Sequence, residues 1–159
     1  MIATPDTLQA TLSTAVDTGV SADGIPFVRV PLAELDASVH RVRDDLGYAR
    51  FVDLTAVDRL TREERFELVY LFYSMTEHGW LRLKTRTDAE APSITPIVRG
   101  ADWYEREVWD LFGVRFVGHP DLRRIMLPEE WRGHPLRRTE PLGSEPVDFT
   151  VTRKAYGAD

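Results

Sequence analysis

The chain contains no cysteine, which rules out disulfides, thiol catalysis and cysteine-ligated iron–sulfur clusters within it. Any redox chemistry it serves is expected to run on other chains. Lysine is nearly missing too: Lys84 and Lys154 are the only two, against 18 arginines. Base composition of the source genome explains that bias in general, but not why arginines crowd one segment. No apolar run approaches the ~20 residues that span a bilayer, and the opening MIATPDTLQ lacks the basic and apolar regions of a signal peptide. The expectation is a chain that stays on the cytoplasmic side, without a transmembrane segment. Neither G-x-G-x-x-G nor G-x-x-x-x-G-K occurs, so nucleotide binding by a standard phosphate loop is not expected. The net charge of −6 is spread along the chain, and without a clustered basic excess no nucleic-acid partner is expected.

What is present suffices for one folded domain. A chain of 159 residues removes roughly 70% of its unfolded surface from water on folding, enough for a core without metal or disulfide support. Leu8, Leu12, Ala15 and Val16 give a weak helical pattern over 4–18, closed by Thr18-Gly19. A short strand is expected over 27–30. Pro31 then opens a helix through Leu46, carried by Leu32, Leu35, Val39, Val42 and Leu46, with Gly47 past its end. Three stretches rich in β-branched and aromatic residues, 50–57, 65–73 and 80–87, read as a strand meander. In the last, Arg82, Lys84 and Arg86 alternate with Leu81, Leu83 and Thr85, so one face is wet or meets a charged partner. The fold expected is α+β, a single domain. It is a small, mostly antiparallel open sheet with helices packed on one side, followed by an extended C-terminal arginine-rich hairpin and tail. The domain is drawn over 1–142 and the tail over 143–159.

The chemistry-bearing residues concentrate in 103–142, WYEREVWDLFGVRFVGHPDLRRIMLPEEWRGHPLRRTEPL. Asp102 fits an N-cap with Glu105 as an acidic capping-box partner, and Gly113 sits where the helix should stop. The helix 103–112 carries an apolar face of Tyr104, Val108, Leu111 and Phe112, and a possible ion-pair ladder of Asp102, Arg106 and Asp110. Gly118-His119-Pro120 then recurs as Gly133-His134-Pro135, each followed by a leucine and an arginine pair. Three readings compete with a merely well-packed surface. Glu105, Glu107 and Asp110 could supply acid/base carboxylates. His119 and His134, with Asp121 and Glu140, could ligate a metal, although no H-E-x-x-H spacing is present. The third is protein recognition. Arg123, Arg124, Arg132, Arg137 and Arg138, interleaved with Leu122, Ile125, Met126, Leu127, Trp131 and Leu136, have the composition of an interface core.

The runs 105–113, 118–124 and 133–138 closely resemble the signature of the C subunit of NADH-quinone oxidoreductase (NDH-1), the 30 kDa subunit family of respiratory complex I. The likeness extends more loosely through the meander, covering roughly 50–149. Thr139-Glu140 departs from it, since the family usually has an aspartate followed by an aromatic there. The resemblance implies a structural component of the peripheral arm of the proton-translocating enzyme, with no catalytic, cofactor-binding or metal-binding residue of its own. Electrons would pass from NADH through FMN and Fe–S clusters in other subunits to quinone. The implied partners are the quinone-pocket D subunit and the cluster-bearing B and I subunits, with membrane association only through the complex. Glu105, Arg106, Glu107 and Asp110 would form the charged network that fixes the helix to the hairpin. His119, Arg123, Arg124, His134, Arg137 and Arg138 would order the turns and meet the neighbouring subunit. An equivalent subunit of a membrane-bound hydrogenase, formate hydrogenlyase or F420H2/ferredoxin dehydrogenase is the alternative, and a small metal-dependent hydrolase a remote one.

Overall fold

A computed structural model describes residues 3–60 and 63–140. The tail expected over 143–159 and the boundary before it lie outside the described residues.

The first helix, α1, spans Pro5–Thr11, and a reciprocal box of Thr4 and Thr7 hydroxyls and backbone N–H groups caps it. It stops well short of the expected Thr18. Asp17–Val20 is instead a strand, β1, paired antiparallel with β2, Pro26–Arg29. Val16, Thr18 and Val20 are β-branched, and Gly19 leaves room for the Phe27 ring, which lies 3.0 Å from where a β-carbon would be. Strand pairing therefore overrides the weak helical periodicity. The helical stretch after Pro31 is real but not uniform. A 3-10 turn (Leu32–Glu34) leads into α2, Leu35–His40, and a wider π turn follows (Arg41–Asp45) before Gly47 reverses the chain at φ 73°. Val42 O accepts the Tyr48 N–H at 3.0 Å, and the buried Tyr48 hydroxyl accepts the Ala3 N–H at 3.0 Å.

The meander forms as expected: β3 (Arg50–Asp58), β4 (Phe66–Ser74) and β5 (Gly79–Thr87) pair antiparallel, and β5 pairs parallel with β2. Spatial order in the five-stranded sheet is β1-β2-β5-β4-β3. Period-two alternation sends Leu54, Ala56, Leu68, Tyr70, Phe72, Leu81 and Leu83 to one face, where they are buried with Leu8, Leu12, Leu35, Val39 and Val42 from α1, the chain just after it, α2 and the π turn. The opposite face, with Val69, Leu71, Tyr73, Arg82 and Lys84, is only half-buried.

A short strand β6 (Glu90–Pro92) and a 3-10 turn (Arg99–Ala101) precede the helix α3, Asp102–Phe112, and β7 (Arg115–Val117) follows it. Because β6 and β7 pair parallel, Ala91 beside Phe116, the helix is held as the crossover of a small β-α-β unit. Tyr104 meets Phe51 edge-on at 5.5 Å, and Phe51 meets Phe72 at 5.6 Å, which seats α3 against the sheet. Residues 118–140, expected as a hairpin, contain no strand. They run as a strap back along α3.

Candidate functional site

At the start of α3 the expected cap is replaced by another arrangement. Ala101 already has helical angles, so Asp102 lies inside the helix and its carboxylate makes no capping bond. It pairs one turn on with Arg106, Oδ1 to Nε at 3.0 Å, and lies 3.4 Å from His119 Nε2. Glu105 does not turn back either. Fully buried, it accepts the Ser93 hydroxyl at 2.6 Å, the Ile94 N–H at 2.7 Å and the Thr95 hydroxyl at 3.1 Å. Burial pushes its carboxyl up to about 7; those three donors work against the shift and the nearby Asp102 charge adds to it.

The first Gly-His-Pro turn is tied to this end. The Asp121 N–H donates to His119 Nδ1 at 3.0 Å, so Nδ1 must be unprotonated. His119 Nε2 then carries the proton and donates to the Asp102 carbonyl at 3.2 Å. Arg106 reaches from α3 to Asp121 at 2.5 Å and lies over the Trp103 ring, 5.4 Å from its centroid.

The other end of α3 is held by the rest of the strap. Asp110 is fully buried, and its Oδ2 accepts three successive backbone N–H groups: Ile125 at 3.1 Å, Met126 at 2.8 Å and Leu127 at 3.0 Å. Its Oδ1 takes Arg124 at 2.5 Å, and Arg124 also donates to the carbonyls of Trp131 at 3.0 Å and Gly133 at 3.2 Å. Burial alone would raise the Asp110 carboxyl, but the three amides and Arg124 together hold it below its ordinary value.

An α-helix ends with carbonyls that have no partner in the helix. Here the second Gly-His-Pro turn supplies partners in sequence. His134 Nδ1 donates to the Asp110 carbonyl at 2.9 Å, the Leu136 N–H to Leu111 at 3.0 Å, Arg137 Nε to Phe112 at 2.6 Å and Arg137 Nη2 to Gly113 at 3.3 Å. Cations at this end also oppose the negative pole of the helix dipole. Gly113 stands at φ 75° with the Arg137 guanidinium and the His134 ring where a β-carbon would be, so glycine alone fits.

The expected site residues thus divide. Glu105, Arg106, Asp110, His119, Arg124, His134 and Arg137 all hold α3 to its surroundings. The ladder is only half formed: Arg106 pairs with Asp102, while Asp110 turns to Arg124. Among the described residues the half-buried Glu107 side chain joins no part of the network. Arg123 is exposed and pairs with Asp121 at 3.1 Å, and Arg138 is exposed while its backbone N–H donates to Asp58 at 3.0 Å. His119 and His134 bond to carbonyls eight residues apart on α3, a separation of about 12 Å along the helix axis, so they do not converge on one ion. No group of three potential metal ligands occurs among the described residues. Glu105 and Asp110 are saturated with donors away from the cleft lined by Arg50, Tyr73, Met75, His78 and Trp80. The described geometry commits these carboxylates and histidines to bonds within the chain.

Three contributors were not foreseen. Ser93 and Thr95 complete the Glu105 cradle, and the only hint is a polar pair between Pro92 and Pro96. Asp58, at the end of β3, binds Arg65 at 2.6 Å and receives the Leu60 and Arg138 N–H groups; the Arg65 guanidinium, helped by those amides and opposed by burial, holds its carboxyl far below the usual range. Thr139, one of the two departures noted above, accepts a bond from Arg65 at 3.1 Å.

Residues 28–146 match the family model described as respiratory-chain NADH dehydrogenase, 30 Kd subunit. The chain is 40% identical over 149 residues to the NADH-quinone oxidoreductase C subunit of Phenylobacterium zucineum, covering 88% of this chain and 71% of that one. It is 53% identical over 97 residues to the mitochondrial NADH-ubiquinone oxidoreductase 30.4 kDa subunit of Neurospora crassa, covering 60% of this chain and 34% of that one. It is 41% identical over 133 residues, 76% of its own length, to the NADH-quinone oxidoreductase C/D subunit of Methylococcus capsulatus, of which it spans only 23%. Among solved structures it is similar to a chain of the membrane-bound sulfane sulfur reductase, an archaeal respiratory membrane complex. The TM-score is 0.67 and the identity 25%, covering 78% of this chain and 76% of that one. With the family model matched over most of its length, this chain belongs to the respiratory-chain NADH dehydrogenase 30 Kd subunit family.

Proposed function

We propose that this chain is a non-catalytic structural subunit in the peripheral arm of a proton-translocating NADH:quinone oxidoreductase. In this reading it docks against the quinone-pocket subunit, with the cluster-bearing subunits nearby. NADH, FMN, the Fe–S clusters and quinone are handled by other chains, and contact with the membrane is made through them. The observation that carries the reading is the inward commitment of the 105–138 signature. Its buried acids, both histidines, Arg124 and Arg137 bond to groups of this chain, which leaves them to shape a surface rather than to meet a substrate. That surface presents Arg123, Arg132, Arg138, Met126 and Leu136, and we assign contact with the neighbouring chain to it. No helix among the described residues is long and apolar enough to cross a membrane, in keeping with attachment through partners.

The similarity to a chain of an archaeal sulfane sulfur reductase favours one second reading, an equivalent subunit of a related respiratory assembly with another electron donor or acceptor. The test is to tag the chain in its host, solubilise membranes gently and identify co-purifying chains by mass spectrometry, assaying NADH-dependent quinone reduction in the same fraction. Cluster-bearing and membrane subunits with that activity support the first reading. Partner subunits without NADH oxidation support the second, and recovery of the chain alone refutes both.

A further inference from the structure

The half-exposed face of the sheet, opposite the helices, carries a row of cations, and nearly all are matched within the chain. Arg29 pairs with Asp17 at 3.5 Å, and Arg86 with Glu67 at 3.5 Å. Arg82 takes both oxygens of Asp23, at 2.9 and 2.7 Å, and Lys84 lies over the Phe27 ring, 4.3 Å from its centroid. Arg50, at the start of β3, is the exception: its guanidinium meets neither a carboxylate nor an aromatic ring among the described residues.

The strand register puts Arg50 beside Tyr73 and Tyr73 beside Trp80. The Tyr73 and Trp80 rings lie against each other with centroids 4.8 Å apart. Met75 and His78, from the turn between β4 and β5, complete a shallow cleft of about 430 Å³. Trp80 is 41% and Met75 61% exposed, so a large apolar surface stands in water next to an unmatched cation. His78 holds a left-handed backbone at φ 49°, and its Nδ1 lies 3.4 Å from the Tyr73 hydroxyl, so the turn is fixed against the cleft.

We propose that this cleft is a docking site for an acidic segment of another polypeptide. An apolar side chain of that segment rests on Trp80, Tyr73 and Met75 while a neighbouring carboxylate pairs with Arg50. Aromatic, methionine and arginine side chains together are the composition of an interface hot spot. The planar guanidinium matches a carboxylate with two parallel bonds. An acidic occupant follows from charge: the other arginines of this face are paired with carboxylates and Lys84 rests on the Phe27 ring, so Arg50 is the guanidinium left to offer, framed by apolar surface. The proposal rests on the subunit reading above and adds to it a surface away from the 105–138 signature.

The test uses the tagged full-length chain in its host with Trp80→p-benzoylphenylalanine, a photoreactive group on an exposed position. The assembly is purified and irradiated, and the crosslinked peptide is sequenced by mass spectrometry. One partner segment with aspartate or glutamate flanking the crosslinked residue is expected. Crosslink yield should fall about tenfold when Arg50→Glu is added and persist with Arg50→Lys, because charge reversal weakens contact where the lysine keeps the charge. Crosslinks to lipid, to a second copy of this chain or to an uncharged or basic segment overturn the proposal. So does a yield indifferent to Arg50→Glu. An intact assembly without a crosslink sinks the docking site alone, whereas a wild-type chain that co-purifies with nothing sinks the subunit reading and the docking site together.

Discussion

Replacing Asp110 by alanine tests the central argument about α3. The side chain removes four donors from solvent competition at once: the N–H groups of Ile125, Met126 and Leu127 and the Arg124 guanidinium. A hydrogen bond to a charged group is worth about 1.5–3 kcal/mol net, and breaking a buried ion pair costs about 3–5 kcal/mol. Simple addition overshoots, because the strap lies at the surface and its freed groups can turn to water. The loss cannot exceed what holds the strap to the helix, so we expect about 4 kcal/mol for Asp110→Ala. That corresponds to a fall in Tm of roughly 10 °C for a chain of this size. Asp110→Asn keeps an oxygen for the three amides but loses the charge opposite Arg124, and should cost about half as much. The assay is urea unfolding read from the midpoint, with trypsin cleavage at Arg124 as a local readout, since lifting the strap exposes that side chain. The carboxyl is held below its ordinary pKa, so its contribution is present above about pH 4 and lost as pH falls; Asp110→Ala should flatten that acid limb. A loss under about 1 kcal/mol with unchanged cleavage would refute the claim that this carboxylate holds the strap.

Glu105 predicts the opposite slope. With its folded carboxyl raised from 4.5 to about 7, its proton-linked contribution is full below about pH 4.5 and gone as pH rises through 7, a change of roughly 3 kcal/mol. Unfolding midpoints measured across that window should decline in the wild type and stay flat in Glu105→Gln; parallel curves would contradict it. Gly113→Ala combines a left-handed backbone with a β-carbon driven into Arg137 and His134, and should cost about 3 kcal/mol or more by thermal unfolding, whereas Gly24→Ala, with open space around its β-carbon, should cost only about 1 kcal/mol of backbone strain. Arg137→Ala leaves the Phe112 and Gly113 carbonyls uncapped and should cost about 2 kcal/mol, seen as faster amide exchange in the last turn of α3; unchanged exchange would count against the capping role.

The sheet was legible because its signal is periodic. Along β4 and β5 burial alternates residue by residue, and Phe66, Leu68, Tyr70, Phe72, Leu81 and Leu83 fill most of the inward positions. The first helix ends earlier than its spacing suggests: Ala15 and Val16 continue a helical pattern, but Thr18 takes its partner, Val28, from the strand ten residues on. The motif itself was readable as letters, but not the jobs of those letters. Glu105 looks like a capping residue three positions after Asp102, yet its partners are Ser93, Ile94 and Thr95, reached through the β6 crossover. The two Gly-His-Pro turns look equivalent and are not. His119 uses Nδ1 as an acceptor at one end of α3, and His134 uses Nδ1 as a donor at the other. Which nitrogen carries the proton follows from tertiary contacts alone.

The capping of α3 by residues that follow it also has a bearing on how the protein is made. His134 and Arg137 lie 24 and 25 residues beyond the carbonyls they satisfy. At synthesis rates of about 5–20 residues per second, the capping residues follow the end of the helix by roughly one to five seconds. An eleven-residue helix is too short to persist alone over that interval. The nascent chain therefore has a window in which Trp109, which the finished protein keeps beneath Arg124 of the strap, is uncovered.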